Sequence, residues 1–126
     1  GRLRVYPECF WLLEQEGTVC AFVNGFATDQ ADLTDAMYED PRMHDPAGAW
    51  QMIFSVVTAP EARHTGAASA LLRQVKADAK AAGRKGIVLT CKDRLLGFYA
   101  QFGFVDEGIS GSTHGNVVWH QMRLRF

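Results

Sequence analysis

Apolar and polar positions change period several times along the chain, and each change marks an element. Residues 9–16, Cys9 to Glu16, carry a β-type run, Gly17 turns the chain, and a second run rich in Val and Phe spans Thr18 to Thr28. Two such runs around a short turn predict an antiparallel hairpin. Trp50 to Thr58 is apolar nearly throughout, as a central strand covered on both faces should be. Over residues 67–82 the period becomes helical: Leu71, Leu72, Val75, Ala79 and Ala82 form a stripe among strong helix formers, and Gly83 ends it. Gly86 to Cys91 reads as a buried strand, and Asp93 as the N-cap of a second helix through Phe102, with Gly103 at its end. Phe104 to Ser110 and Val117 to Phe126 complete the strands. The order β-β-β-α-β-α-β-β predicts an α/β (α+β) fold with a mixed sheet, in which the third strand, first helix and fourth strand form a parallel βαβ unit.

The pattern lapses at residues 29–49, which hold six acids, one Arg and two prolines, with Leu33 and Met37 at helical spacing. This predicts a long acidic loop carrying one short helix, and loops of such length are usually functional or disordered.

Composition narrows the class. The 126 residues, 48% apolar, suit one domain spanning 1–126. No apolar run approaches the ~18–20 residues of a membrane span, and nothing at the start reads as a signal peptide, so no membrane partner is expected. The net charge of −1 conceals two halves. Residues 1–62 carry three basic groups against ten acidic, a net of −7; residues 63–126 carry ten against four, a net of +6. This argues against nucleic-acid binding, which favours a broadly basic domain, and allows two ligands of opposite charge. Cys9, Cys20 and Cys91 lie in or beside apolar runs with no CxxC spacing, which points to small hydrophobes in a reducing, cytoplasmic setting and to no metal site.

Chemistry concentrates where the third strand meets the first helix. Arg63-His64-Thr65-Gly66-Ala67-Ala68 places small residues at a helix N-terminus, whose N–H groups and positive dipole end suit a phosphate. The Lys of a Walker loop and the spacing of a dinucleotide fingerprint are absent. A plain loop with Gly for close packing is the other reading of this segment taken alone.

The same six residues match the R/Q-x-x-G-x-G/A signature of the GNAT acetyltransferase superfamily, and Val57-Thr58-Ala59-Pro60-Glu61 resembles its lead-in. Leu95-Leu96-Gly97-Phe98-Tyr99-Ala100-Gln101-Phe102-Gly103-Phe104 is similar to its helix-to-strand hallmark. Leu89-Thr90-Cys91-Lys92-Asp93 running into Phe98-Tyr99 resembles serotonin N-acetyltransferase and its bacterial relatives. The resemblance extends from residue 9 onward. It implies a mostly antiparallel GNAT-like sheet around the βαβ unit. Family folds begin with a strand and one or two helices before the hairpin. The chain opens Gly1-Arg2-Leu3-Arg4 without Met, so that strand and those helices are expected to be missing.

The resemblance implies an acetyl-CoA-dependent N-acetyltransferase acting on a small-molecule amine or a peptide, and a homodimer is a common family state. It places the pyrophosphate on Arg63, His64, Thr65, Gly66, Ala67 and Ala68, adds the Ser69 hydroxyl, and pairs the pantetheine with the backbone of Val56 and Val57 where the parallel strands splay. Tyr99 matches the tyrosine that protonates the departing thiolate; taken alone it is a core aromatic beside Phe98. The histidine positions of serotonin N-acetyltransferase fall on Gln51 and Ile53, and Trp50 to Val57 holds no acid. His114 is therefore the first candidate for general base, followed by His44, Asp45 or a water chain. His120, alternating with core residues, reads as structural. Segment 29–49, with a net charge of −5, would border the acceptor side and draw a cationic amine, with Phe54, His44 and Asp45 contacting it. Phe22, Phe26, Trp50 and Trp119 are further candidates for an apolar wall. The alternatives are a non-catalytic acyl-CoA-binding module and a thiol enzyme built on Cys91.

Overall fold

Glu16 and Gly17 have positive φ, 53° and 78°, the backbone twist that lets two residues join antiparallel strands without splaying them. They connect β2 (Phe10–Gln15) to β3 (Thr18–Thr28) in the computed structural model, which describes residues 2–6, 9–60, 66–110 and 118–126. The remaining elements are β1 (Arg2–Tyr6), α1 (Asp35–Glu39), a 3-10 turn at Pro41–Met43, β4 (Trp50–Thr58), α2 (Ala67–Ala81) and β5 (Gly86–Cys91). A second 3-10 turn (Asp93–Leu95), α3 (Leu96–Ala100), β6 (Val105–Ile109) and β7 (His120–Arg125) complete them. The sheet order is β1-β2-β3-β4-β5-β7-β6. Among the described residues only β4 and β5 pair in parallel, joined through α2 as the expected βαβ unit. Among the described residues no helix is long and apolar enough to cross a membrane.

One expectation is corrected. A leading strand is present: β1 pairs antiparallel with β2, from Arg2↔Glu14 to Tyr6↔Phe10. Its five residues precede the apolar run on which the hairpin was recognised. The link to β2 spans only residues 7–9, too short for the helices that family folds place there.

Alternation along the strands gives the sheet two buried faces. Trp11, Val23, Ile53, Ile87, Leu89, Met122 and Leu124 pack with Leu71, Leu72, Val75 and Ala79 of α2 and with Tyr99, Phe102 and Phe104. The Trp11 indole N–H donates to Asp78 Oδ2 at 2.8 Å, tying α2 across β2. On the opposite face Phe26, Met52 and Val88 are covered by Leu33 and Met37 from the acidic segment. Those two side chains are 4% and 1% exposed, and each contributes about 1.5–3 kcal/mol by leaving water. The segment read as a charged loop is thus an amphipathic cover, with α1 as its short helix.

The register of β4 creates the opening on which the site depends. Gly25 pairs with Ile53 and Asn24 with Ser55, so Phe54 is an extra residue and β4 bulges. Pairing with β5 runs from Trp50↔Gly86 to Ile53↔Leu89 and ends there. Beyond it β4 stays on β3 as far as Thr58, while β5 stays on β7 as far as Cys91. The two central strands therefore part like a fork. A Cβ on Gly25 would lie 1.8 Å from the Met52 carbonyl oxygen, a backbone atom that yields only if β4 moves. Gly25→Ala is expected to lower the unfolding free energy by about 3 kcal/mol, read from a urea titration.

On β7, next to the edge strand β6, His120 lies between two carboxylates. Its Nδ1 is 3.1 Å from Asp106 Oδ1, and its Nε2 meets Asp93 Oδ1. The hydrogen bond to Asp106 is the main reason its imidazole titrates above the ordinary histidine range, opposed by partial burial and helped by the charges of Asp106 and Asp93. A raised folded-state pKa gives stability that is complete below the unfolded value of about 6.5 and is lost as pH rises through the folded value. The thermal midpoint should accordingly fall as pH climbs from about 6.5, and His120→Gln should flatten that fall.

Candidate active site

The N-cap of α2 is Gly66, which sits at φ +85° and, having no side chain, itself supplies no cap to the first-turn amides. Added Cβ atoms would meet nothing there, so glycine is required by the left-handed backbone and not by crowding. Such an end presents N–H donors and the positive end of the helix dipole.

This helix end opens onto the fork. A cleft of about 750 Å³ is lined by Val56, Val57, Thr58, Gly66, Ala67, Ala68, Ser69, Arg94, Leu95, Phe98 and Tyr99. Six of the residues expected to hold the cofactor (Val56, Val57, Gly66, Ala67, Ala68 and Ser69) share this one cavity. Arg63, His64 and Thr65 lie outside the described residues, as does His114. Sequence reasoning missed Thr58, Arg94, Leu95 and Phe98; the positions of Arg94 and Leu95 between β5 and Tyr99 were the available signal. Among the described residues, the edge of β4 turned away from β3 has no partner strand beyond Ile53, so its peptide groups can accept an extended chain.

Tyr99 forms part of the wall of this cleft. It is 6% exposed, with Phe98 and Phe104 rings 5.1 and 5.9 Å away. Burial, aided by Cys91, pushes its phenol up to about 12, so the group keeps its proton. Cys91, 2% exposed, directs its thiol to Met122 Sδ at 3.6 Å. Burial first, then Asp106 and Asp93, raise it to about 11. A thiol held neutral is a poor nucleophile, which argues against the Cys91 enzyme.

The opposite face of the fork carries aromatic rings. Phe54 lies 4.9 Å from Phe26 and 4.8 Å from Tyr38, and Tyr38 Oη is 3.2 Å from Thr90 Oγ1. His44 and Asp45, expected to touch the acceptor, have another task. His44 Nδ1 accepts the Ala27 N–H at 3.0 Å, which uses the lone pair a base would need. The Asp45 N–H donates to Ala27 O at 2.8 Å, and its Oδ1 accepts from Ala47 N–H at 2.9 Å. Both therefore fasten the acidic segment to the end of β3, contacts that no spacing rule could supply.

Gln51 is 1% exposed and donates to the carbonyls of Phe26 and Met52, so it supports the bulge. Other acids of the segment are also engaged. Asp29 Oδ1 accepts from Ala49 N–H, and Asp40 binds Arg42. Asp32 and Glu107 hold Arg123, itself 6% exposed and stacked on Trp50 at 4.5 Å. Phe22 stacks on Phe10, away from Phe54. A separate hollow of about 400 Å³ runs between Asp32–Asp35 and Glu107–Ser110.

Solved structures share this architecture. Ard1 from Thermoplasma volcanium matches with a TM-score of 0.72 at 17% identity, over 95% of this chain and 72% of that one. The loading GNATL domain of CurA from Lyngbya majuscula gives 0.76 at 14% identity, over 94% and 77%. The GphF GNAT-like decarboxylase, solved with isobutyryl-CoA, gives 0.77 at 19% identity, over 94% and 78%. These identities establish the fold alone. The acetyltransferase (GNAT) family model, in contrast, matches the sequence itself across residues 2–104. With that match over most of its length, and with the fork and the α2 N-terminus in place, the chain belongs to the acetyltransferase (GNAT) family.

Proposed function

We propose that this protein transfers an acetyl group from acetyl-CoA to a primary amine. The observation that carries the reading is one cleft that joins the N-terminus of α2, the unpaired edge of β4 and the buried, protonated Tyr99. Its chemistry fits a long polyanion ending in a thioester. The α2 amides of Ala67, Ala68 and Ser69 would hold the pyrophosphate, with the Arg94 guanidinium as counter-charge. Val56 and Val57 would pair their backbone with the pantetheine amides as an added strand. The GphF neighbour was solved with isobutyryl-CoA, which supports an acyl-CoA as the ligand.

Bound acetyl-CoA supplies an acyl carbon already activated toward nucleophiles. The protein's contribution is orientation and proton management. As the amine nitrogen bonds to that carbon and the C–S bond breaks, the Tyr99 phenol donates a hydrogen bond that stabilises the departing thiolate, which takes its proton from solvent. A thiolate of pKa about 8.5 needs only this modest help. The proton released by nitrogen passes to a base, for which His114, between β6 and β7 in sequence, is our assignment. The acidic half of the chain draws a cationic acceptor toward the fork by its long-range field, since several of its carboxylates are individually bonded elsewhere.

Three outcomes are expected. Tyr99→Phe should lower kcat about 10- to 100-fold with the acetyl-CoA dissociation constant unchanged, measured by CoA release and by calorimetry. Because the phenol titrates near 12, the wild type should show no alkaline loss from this group up to about pH 10. Ala68→Glu should weaken acetyl-CoA at least about tenfold by placing an anion against the phosphates. Absence of any thermal shift of the wild type at saturating acetyl-CoA would overturn the reading.

A further inference from the structure

Phe54 on β4 and Thr90 on β5 are the first residues beyond the last pair of the fork, Ile53↔Leu89. Strand alternation fixes their side. Leu89 and Cys91 belong to the core under α2, whereas Val88 belongs to the core on the other face, so Thr90 shares the face of Val88. Phe54 packs with that second core too. Both residues therefore flank the apex of the fork on the side opposite Tyr99.

One side chain reaches both. Tyr38, in α1, rests its ring 4.8 Å from Phe54 and places its hydroxyl 3.2 Å from Thr90 Oγ1. It bridges the two strands where their own hydrogen bonds stop. Asp35 stands one helical turn earlier, close enough for its charge to oppose ionisation of the phenol. Burial acts in the same direction and more strongly, and the bond to Thr90 opposes both. The group is thus a neutral hydroxyl at physiological pH and serves as a hydrogen-bond partner, not as a base.

We propose that the Tyr38–Thr90 hydroxyl pair is the subsite that holds the nucleophilic nitrogen of the acceptor. This rests on the transferase reading above. A neutral primary amine has two N–H donors and one lone pair. Hydroxyl oxygens can accept the two N–H bonds, which leaves the lone pair directed through the fork at the acyl carbon on the Tyr99 side. The mutual hydroxyl bond consumes one proton and one lone pair, and Thr90 Oγ1 retains acceptor capacity beside it. A secondary amine has one N–H fewer and carries a methyl group where the second oxygen would meet it. The pair therefore selects primary over N-methylated amines.

The test uses two matched couples, phenethylamine with N-methylphenethylamine and butylamine with N-methylbutylamine, in a CoA-release assay at saturating acetyl-CoA. The wild type should favour the primary member of a couple by at least about tenfold in kcat/KM. Tyr38→Phe keeps the ring contact with Phe54, and Thr90→Val keeps the β-branched shape. Each should raise the amine KM several-fold and shrink the preference toward unity, with the acetyl-CoA thermal shift unchanged. The double variant should be no worse than either single one, since both remove the same pair. If Tyr38→Phe fails to fold, Thr90→Val carries the test by itself. A preference that survives both substitutions overturns this inference and leaves the transferase reading intact. A wild type that binds acetyl-CoA but acetylates no amine overturns the inference together with the amine reading. A wild type without an acetyl-CoA shift overturns the whole assignment.

Discussion

The parting of β4 from β5 beyond Ile53 and Leu89 is the constraint from which the site follows. A parallel pair inside a sheet normally continues until one strand ends, because every peptide group left unpaired away from water carries an energetic penalty. Here the bulge at Phe54 turns β4 out of register while β3 still holds it, and Gly25 makes room for the Met52 carbonyl that the bulge brings close. The result is a strand edge kept in place by one neighbour and abandoned by the other. An extended ligand can satisfy such an edge, and the α2 end beside it offers N–H donors of the kind that suit a phosphate.

The fork also has two faces, and the chain supplies a tyrosine to each. Tyr99 comes from the helix packed on the α2 side and is buried so deeply that it keeps its proton. Tyr38 comes from the cover on the other side and touches both parted strands. That cover is built from the segment between β3 and β4, while only residues 7–9 join β1 to β2. Its acids are arranged accordingly: apolar Leu33 and Met37 face the sheet, and Asp32 is committed to Arg123.

Much of this was legible in the residues. Strand boundaries at Trp50–Thr58 and Gly86–Cys91 agree between sequence and structure, because continuous apolar runs of that length are hard to place anywhere but in the middle of a covered sheet. α2 and its buried stripe were equally clear from helical spacing. The α2 end of the cleft was legible because its signal is local: small residues and a helix start lie within one short segment. Short, polar or isolated elements were not legible. Arg2–Tyr6 is a strand by virtue of pairing with β2, not by its own pattern, and α1 is only five residues long.

Local periodicity, turn chemistry and the two family motifs thus determined the fold class and the order of elements, and pointed to residues that share one cleft. Tertiary structure alone decided what happens between segments distant in sequence. It assigned His44 and Asp45 to anchoring β3, since whether an imidazole serves as base or as backbone acceptor depends on which amide it meets. It also joined Tyr38 to Thr90 across 52 positions. The reason is physical: a side chain's role in an active site is set by distances of a few ångströms between elements. Those distances come from sheet register and packing, which no single stretch of sequence contains.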